Sequence, residues 1–158
     1  MNDTLQEKIK KLHLSGMLQT ADMRAEQAAK EQLSFIEFLE LLVNDENLNR
    51  SRNRRNDLMR KSRIPQHKTI EEFNFSWQPG LNRQVIYGLG TCEFIRKKEN
   101  IAFIGLPGTG KTHLSIALGI KAIEQGYTVL FCTLSEMMED LYMSRADNSF
   151  RQKLKKYV

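Results

Sequence analysis

The sequence predicts an α/β protein in which a helical N-terminal part precedes a parallel-sheet core. Three observations lead to this fold class. Apolar residues recur at helical spacing through the first 62 residues. Two short apolar runs, residues 101–104 and 128–133, have the composition of strands that are buried on both faces. A glycine-rich motif lies between the first of these runs and a helical segment.

The N-terminal segment predicts three helices. Residues 4–7 and 34–37 both have the Ser/Thr-x-x-Glu spacing of a capping box, which marks the start of a helix. Residues 17–31 are rich in Ala, Gln, Glu and Met, which favour helix. The third helix is predicted to be long, over 34–62. We therefore expect a helical bundle and assign residues 1–63 to an N-terminal domain.

The positive charge of the chain is concentrated in one segment. The 158 residues carry a formal net charge of +5, whereas residues 50–63 alone hold seven basic side chains and one acidic side chain. Such a concentration indicates a polyanionic partner. A charged helix face that is merely solvated is the competing interpretation. The candidate DNA-binding residues are Arg50, Arg52, Arg54, Arg55, Arg60, Lys61 and Arg63.

The composition excludes several classes of protein. With 41% hydrophobic and 27% charged residues, the chain is neither disordered nor fibrous. No apolar run has the roughly 20 residues that span a bilayer, and the first residues do not form a secretory signal. Cys92 and Cys132 lack C-x-x-C spacing, so we expect neither a disulfide framework nor a zinc module. These features predict a cytoplasmic protein with no membrane partner.

Residues 64–80 contain two of the three prolines and the only tryptophan, which predicts an extended linker. The aromatic residues Phe73, Phe75 and Trp77 allow two interpretations. One is a platform on which nucleic-acid bases stack. The other, which we favour because it is commoner, is packing of the linker onto a neighbouring domain.

Residues 81–158 are assigned to a third region with four further helices. The first is predicted over 81–97, with a possible break at its glycines. The second follows at 114–125, where Gly126 is the expected residue just beyond its C-terminus. Residues 133–136 form another capping box and begin the third helix. We expect Asp147 or Asn148 to cap the last helix, which would end at Tyr157.

The motif that carries chemistry is G-x-x-x-x-G-K-[ST], the Walker A phosphate loop. Its glycines permit backbone turns that bring N–H groups against phosphate oxygens, and the following helix adds its positive N-terminus. Lys111 is expected to reach the β- and γ-phosphates, and the Thr112 hydroxyl to ligate Mg²⁺. The predicted nucleotide-phosphate site comprises Gly105, Leu106, Pro107, Gly108, Thr109, Gly110, Lys111 and Thr112.

Beyond this loop, the chain resembles the IstB-like ATP-binding proteins, which are AAA+ helpers of insertion-sequence transposases and relatives of the DnaC helicase loaders. The resemblance covers essentially residues 5–158. The stretches that carry it are Leu33-Ser34-Phe35, Leu41-Leu42, Asn53-Arg54-Arg55, Gly80-Leu81, Glu99-Asn100-Ile101, Gly105 to Thr112, Gly126-Tyr127-x-Val129 and Ser144-Arg145-Ala146-Asp147.

The resemblance implies a function and a set of partners. It implies binding of ATP with Mg²⁺, self-association on double-stranded DNA and recruitment of a cognate transposase. It also implies that the N-terminal helices and the basic segment engage DNA. The implied fold is an N-terminal helical bundle followed by the first part of a P-loop NTPase (AAA+) parallel-sheet core, in which the two predicted strands are not neighbours. The two alternatives are a non-enzymatic DNA-binding adaptor and a DnaC-like loader of a replicative helicase.

The sequence departs from the family pattern after the last predicted helix. An AAA+ ATPase requires a Walker B strand, four apolar residues followed by Asp and Asp or Glu. No such string follows Thr112, and Glu139-Asp140 lies within a predicted helix. We therefore expect a chain truncated before Walker B, with no catalytic residue to name. We also expect the isolated chain either to be poorly stable or to be completed by something outside it. Whether it hydrolyses ATP stays open.

Overall fold

The regular elements of the computed structural model, which describes residues 3–146 and 148–157, are helices. Their bounds are α1 (Asp3–Lys11), α2 (Ser15–Glu31), α3 (Phe35–Ser62), α4 (Arg83–Leu89), α5 (Glu93–Arg96), α6 (Lys111–Glu124), α7 (Leu134–Met143) and α8 (Phe150–Leu154), with a 3-10 helix at Phe75–Trp77. The chain divides into two compact units, one ending at Asn56 and the other beginning at Asp57. None of the described helices is long and apolar enough to cross a membrane.

The predicted fold class, α/β with the first part of a P-loop NTPase (AAA+) parallel-sheet core, is wrong. Within residues 3–146 and 148–157 there is no strand, and both 101–104 and 128–133 are irregular segments. Ile101 and Phe103 are half-buried, whereas Ile104 is 94% exposed, so the first run is not buried on both faces. The reason is that apolar composition favours an extended backbone, but a strand also needs a hydrogen-bonded partner from elsewhere in the chain.

The first unit contains α1, α2 and α3 as far as Asn56, and the last turn and a half of α3 belongs to the second unit. Two of its interactions connect α2 with α3. The buried carboxylate of Glu46 accepts hydrogen bonds from the N–H groups of Gly16 (2.7 Å) and Met17 (3.2 Å), at the start of α2. The guanidinium of Arg24 binds both carboxylate oxygens of Asp45, each at 2.8 Å. An acid from one helix therefore satisfies the first amides of another, which have no backbone partner within their own helix.

Two predicted capping boxes are confirmed. At the start of α3, the Ser34 N–H donates to Glu37 Oε2 (2.7 Å) and the Glu37 N–H donates to Ser34 Oγ (3.3 Å). At the start of α7, Thr133 and Glu136 make the same reciprocal pair. The backbone N–H and the hydroxyl of Thr133 hold the pKa of Glu136 below its ordinary value. Both helix starts are thus determined within four residues of sequence.

The core of the second unit is formed by α4, α6 and the segment 64–80. One cluster of its buried residues consists of Ile70, Phe73, Ile86, Leu114, Ala117 and Leu118. Phe75 packs against this cluster, and the Phe73 and Phe75 rings meet edge to face with centroids 4.9 Å apart. Packing of the predicted linker aromatics is therefore confirmed for two of the three residues. Trp77 is the exception, since it is 79% exposed.

The helix predicted over 81–97 is interrupted. It is replaced by α4 and α5, which are separated by residues 90–92. Asn82 caps α4, since its side-chain oxygen accepts hydrogen bonds from the N–H groups of Gln84 (2.9 Å) and Val85 (3.3 Å). Cys92 then takes a positive φ of 58°. The break falls where the glycines weaken the helix, as the sequence suggests.

The C-terminal helices match the prediction in part. Beyond α6, Gly126 has a φ of +87°, and its N–H and that of Tyr127 return to the carbonyls of Ile123 (2.9 Å) and Ala122 (3.0 Å). This is a Schellman ending, so the predicted role of Gly126 is confirmed. The last helix is shorter than predicted, because α8 ends at Leu154 and is preceded by Ser149. Asn148 is not its cap, and Asp147 lies outside the described residues.

Candidate functional site

The loop at residues 105–112 leads directly into α6. Gly108 and Gly110 have φ angles of +79° and +82°, in the left-handed region that favours glycine. Gly110 is the residue that precedes the first helical turn. Because it has no side chain, it cannot cap the first amides of α6, and the first four N–H groups of any helix lack partners within the helix. The loop thus ends at a helix terminus that favours an anion.

The Lys111 side chain folds back over the loop. Its Nζ donates hydrogen bonds to the backbone oxygens of Gly105 (2.9 Å) and Leu106 (2.7 Å). The Thr109 hydroxyl donates to the same Leu106 oxygen at 2.9 Å. The ammonium group therefore lies at the mouth of the loop, where it neutralises the carbonyl dipoles. An anion at this position would compete with the two carbonyls for the same cation.

The loop borders two cavities of the second unit. A cavity of about 130 Å³ lies beside it and is lined by Gln78, Leu81, Phe103, Ile104, Gly105, Thr109, Lys111 and Leu114. A more open cavity, about 540 Å³, reaches from Lys111 and the exposed Thr112 to residues 129–133. Both are mostly apolar and share Lys111 as a charged group. The charged end of the site is therefore Lys111, with Thr112 beside it.

The side chain of the loop that could ligate a metal ion beside Lys111 is the Thr112 hydroxyl. Within the part of the chain that the structure describes, no three His, Cys, Asp or Glu side chains are grouped to hold a metal ion. Thr112 supplies one exposed hydroxyl beside Lys111. Mg²⁺ keeps several waters and often takes only one or two protein ligands together with substrate phosphates. A single hydroxyl at a phosphate loop is compatible with that mode.

Sequence reasoning missed the residues that pack behind the loop. A Cβ placed on Gly110 would lie 2.3 Å from Cε2 of Phe73, and the three atoms nearest to it all belong to that ring. His113 forms a 2.8 Å hydrogen bond between its Nε2 and the Thr69 carbonyl. Its ring meets Phe73 edge to face with centroids 5.4 Å apart. The sequence feature that could have indicated this packing was the group of aromatic residues in the linker, Phe73, Phe75 and Trp77.

The basic residues of α3 in the first unit differ in their partners. Arg50 forms a 2.6 Å ion pair with Glu46, and Arg52 donates to Asn49 at 2.9 Å. Arg54 and Arg55 are exposed and make no hydrogen bond or ion pair to any residue that the structure describes. Arg50 and Arg54 are four residues apart and share a helix face, whereas Arg52 and Arg55 lie on another. The two arginines without partners are the more available cations.

The three remaining residues of the basic segment, which lie in the second unit, are also exposed. Arg60 forms an ion pair with Asp57 at 2.9 Å. Lys61 is exposed and has no such partner among residues 3–146 and 148–157. Arg63 lies just beyond the end of α3 with a positive φ of 58°. The sequence groups the seven basic residues by composition alone. The structure separates those that bind a neighbouring side chain, such as Arg50 and Arg60, from those with no such partner among the described residues.

The loop sequence, its position before a helix and its two left-handed glycines are the features of P-loop nucleotide-binding proteins. The chain belongs to the family of IstB-like ATP binding proteins, since the family model of that description matches residues 7–158. The resemblance inferred from the sequence is therefore confirmed.

Three relatives illustrate the similarity. A protein of Pseudomonas aeruginosa, named as a putative ATP-binding protein of insertion sequence IS21, is 36% identical over 96% of this chain and 56% of its own length. Its counterpart named for IS5376 in Geobacillus stearothermophilus is 35% identical over 100% of this chain and 63% of its own. A third relative, named for IS232 in Bacillus thuringiensis subsp. berliner, is 31% identical over 93% of this chain and 59% of its own length. The chain thus spans about three-fifths of the length of these relatives.

Proposed function

We propose that this chain binds ATP with Mg²⁺ at residues 105–112 and serves as the ATP-binding helper of DNA transposition. The observation that carries the proposal is the loop geometry: two left-handed glycines lead into the N-terminus of α6 while Lys111 lies across the loop mouth. The family description and the relatives' names, which refer to ATP and insertion sequences, agree with it.

Each part of the loop has a proposed role. The backbone N–H groups of residues 105, 106 and 108–110 surround the phosphate oxygens, as such turns do for anions, whereas Pro107 has no N–H to offer. Lys111 exchanges its bonds to the Gly105 and Leu106 carbonyls for the β- and γ-phosphates. The Thr112 hydroxyl ligates Mg²⁺ together with phosphate oxygens. No residue is proposed as a catalytic base, so the proposal covers binding and leaves hydrolysis unassigned.

A calorimetric titration of the chain with ATP tests the proposal. Lys111→Ala is expected to weaken ATP binding by at least about tenfold, because charge-assisted hydrogen bonds are the strong ones in such sites. Lys121→Ala is the matched control, since Lys121 lies in the same helix but forms an ion pair with Glu124 at 3.3 Å. Equal affinities for wild type and Lys111→Ala would refute binding at this loop.

A second titration tests the metal role. Thr112→Ala is expected to abolish the gain in ATP affinity that Mg²⁺ provides, while leaving metal-free binding nearly unchanged. Thr112→Ser retains the hydroxyl and should retain the gain. An Mg²⁺-dependent gain that survives in Thr112→Ala would show that the hydroxyl is not the ligand.

We also propose that the basic segment binds double-stranded DNA, with Arg54 and Arg55 as its main contacts within the first unit and the unpaired Lys61 as a further contact. The support is their exposure and their lack of partners among the described residues, whereas Arg50, Arg52 and Arg60 already bind their own helix. A free cation contacts phosphate without first breaking an ion pair. The cognate transposase is the proposed protein partner, and self-association and a cytoplasmic location follow from the same proposal.

Fluorescence anisotropy with a duplex at several salt concentrations tests DNA binding. Removing one phosphate-binding cation lowers the slope of log affinity against log salt by about 0.9, so the Arg54→Ala, Arg55→Ala variant should have a slope smaller by about two. Arg145→Ala with Arg151→Ala removes the same charge from exposed positions outside the segment and serves as the control. If both double variants reduce the slope equally, DNA binding is not centred on α3.

The predicted domains, 1–63, 64–80 and 81–158, are retained as part of the proposal. In it, the first binds DNA and the third carries the nucleotide site. Limited proteolysis with and without ATP tests the assignment, because nucleotide should protect fragments from the third region and leave cleavage within the first unchanged. Equal protection of the first and third regions by nucleotide would contradict the domain assignment.

A further inference from the structure

The turn at Gly110 is packed from behind by residues that precede it by about forty positions. Phe73 lies against Gly110, and His113 binds the Thr69 carbonyl while its ring edge contacts Phe73. We infer that Thr69, Ile70, Phe73 and His113 form a brace that holds the phosphate loop in its binding conformation. Phe73 and His113 are then positioning residues for nucleotide binding. This inference rests on the proposed function of the loop.

The turn of the brace is held by its own hydrogen bonds and by the core. The Thr69 N–H donates to Glu72 Oε2 (2.9 Å), and the Glu72 N–H donates to Thr69 Oγ1 (3.2 Å), which fastens the turn at both ends. The Phe73 N–H then donates to the Ile70 carbonyl at 3.2 Å. Ile70 is only 1% exposed and anchors the segment in the core. Rigid support of this kind is what a positioning element requires.

The packing at Gly110 explains how the brace acts on the loop. Gly110 has the left-handed conformation, and its neighbour Lys111 begins α6. The Phe73 ring fills the space behind the Gly110 Cα, and the hydrogen bond from His113 fixes the first turn of α6 to the same segment. The loop is thus ordered before a phosphate arrives. Preorganisation of this kind raises affinity because less conformational entropy is lost on binding.

A purely structural role for Phe73 is the competing explanation, because Phe73 belongs to the buried core. Leu118 provides the comparison. It lies in the same buried cluster and in α6, but seven residues beyond Lys111. Leu118→Ala opens a core cavity without touching the loop, whereas Phe73→Ala opens a cavity and removes the ring behind Gly110. Only the second change affects the phosphate loop if the brace acts as inferred.

Amide hydrogen exchange of the nucleotide-free chain is the first measurement. Phe73→Ala is expected to raise exchange at residues 105–112 at least several-fold relative to Leu118→Ala, at temperatures equally far below their two melting points. Phe73→Met, which keeps most of the side-chain volume, should give an intermediate rate and serves if Phe73→Ala does not fold. Equal exchange of the loop in the Phe73 and Leu118 variants would overturn the inference.

ATP affinity is the second measurement. Phe73→Ala and His113→Ala are each expected to weaken ATP binding about tenfold. This equals the free energy of ordering about one or two side chains, which the variants would have to supply on binding. His113→Gln keeps an N–H donor for the Thr69 carbonyl and should recover part of the affinity. Leu118→Ala should bind as wild type does. Loop exchange that rises with no loss of ATP affinity would overturn the positioning role.

The two measurements separate failure of the inference from failure of the proposed function. If wild type binds no ATP, the proposed function is wrong, and the exchange experiment still decides whether the brace orders the loop. If wild type binds ATP through Lys111 but the Phe73 and His113 variants behave as Leu118→Ala does, the proposed function stands and the brace does not.

Discussion

The ring of Phe73 occupies the space into which a side chain at Gly110 would extend. A Cβ at Gly110 would lie 2.3 Å from Phe73 Cε2 and 3.1 Å from Cζ, distances that real Cβ atoms do not tolerate without movement. Gly110 is therefore constrained twice, by its φ of +82° and by the aromatic ring behind it. Gly108, two residues earlier, has a similar φ but open space around its Cα.

This pair of glycines yields a prediction about stability. Gly108→Ala should lower the free energy of unfolding by about 1–2 kcal/mol, the usual penalty for a non-glycine residue in the left-handed conformation. Gly110→Ala should cost about 1–3 kcal/mol more, because the new methyl group overpacks Phe73. Urea denaturation measures both, and Gly126→Ala, with a φ of +87° in open space, is a control far from the loop.

The added cost at Gly110 should depend on Phe73. In a double-mutant cycle, Gly110→Ala combined with Phe73→Leu is expected to destabilise the chain by less than the two single changes together, because the smaller side chain relieves the overlap. Simple additivity of the two changes would show that the ring and the glycine do not interact.

Gly16 is predicted to be required by a close helix approach. A Cβ there would lie 2.8 Å from the Glu46 Cα and 2.9 Å from the Asp45 carbonyl oxygen, both backbone atoms of α3. Although Ala favours helix over Gly by about 1 kcal/mol, Gly16→Ala should destabilise by about 1–3 kcal/mol because α2 and α3 must separate. Gly88→Ala, in α4 with nothing within 4 Å, should instead be stabilising. Thermal unfolding of the two variants checks the difference in sign.

The packing of α7 with α8 is predicted to depend on pH. Asp140 forms an ion pair with Lys153 and accepts a hydrogen bond from the Tyr157 hydroxyl (2.8 Å). These interactions, that with Lys153 first, lower the pKa of Asp140 from its ordinary 3.8 to about 2. Because the folded form favours the carboxylate, the stabilisation is fully present above the ordinary pKa and disappears as the pH falls through the lowered one.

Amide exchange of residues 134–157 between about pH 5 and about pH 2 provides the measurement, after correction for the intrinsic pH dependence of exchange. Protection of α8 should fall over this range in wild type. Asp140→Asn should have low protection at both ends and little dependence on pH. A wild-type profile that stays flat below the ordinary pKa of an aspartate would contradict the assigned role of Asp140.

The two cysteines are predicted to differ in reactivity. Cys92 is 0% exposed, and burial raises the pKa of its thiol, so the reactive thiolate is both rare and shielded. Cys132 is half-buried in the segment beside the larger cavity. A thiol reagent should label Cys132 in the folded chain and Cys92 only on unfolding, as followed by mass spectrometry with Cys132→Ser as control. Simultaneous labelling of both would contradict the packing around Cys92.

Local features of the fold were predictable because their determinants are close together in sequence. The capping boxes at Ser34 and Thr133 each involve residues three positions apart, and the ending at Gly126 involves residues within five positions. The phosphate loop is equally local, since glycine spacing and the following helix are both properties of one short stretch. The family resemblance rested on such stretches and was confirmed.

The absence of strands among the described residues could not be predicted in the same way. Residues 101–104 and 128–133 have strand composition, yet a strand exists only when another segment supplies its hydrogen bonds. In the structure the Phe131 N–H donates instead to the Ser62 carbonyl, at 2.7 Å. The apolar side chains can be recognised from the sequence. The hydrogen-bond partner of each backbone N–H and C=O group, however, depends on how the whole chain folds.

The sequence is sufficient to define the helices of the N-terminal unit, the glycine loop, the basic segment and the family, because each depends on residues that are neighbours along the chain. Three-dimensional packing alone reveals that Phe73 and His113 pack behind the loop, that Glu46 caps a helix thirty residues away, and that Arg54 and Arg55, unlike Arg50, have no partner among the described residues. These relationships connect residues far apart in sequence, and no local pattern encodes which distant side chain fills a given space.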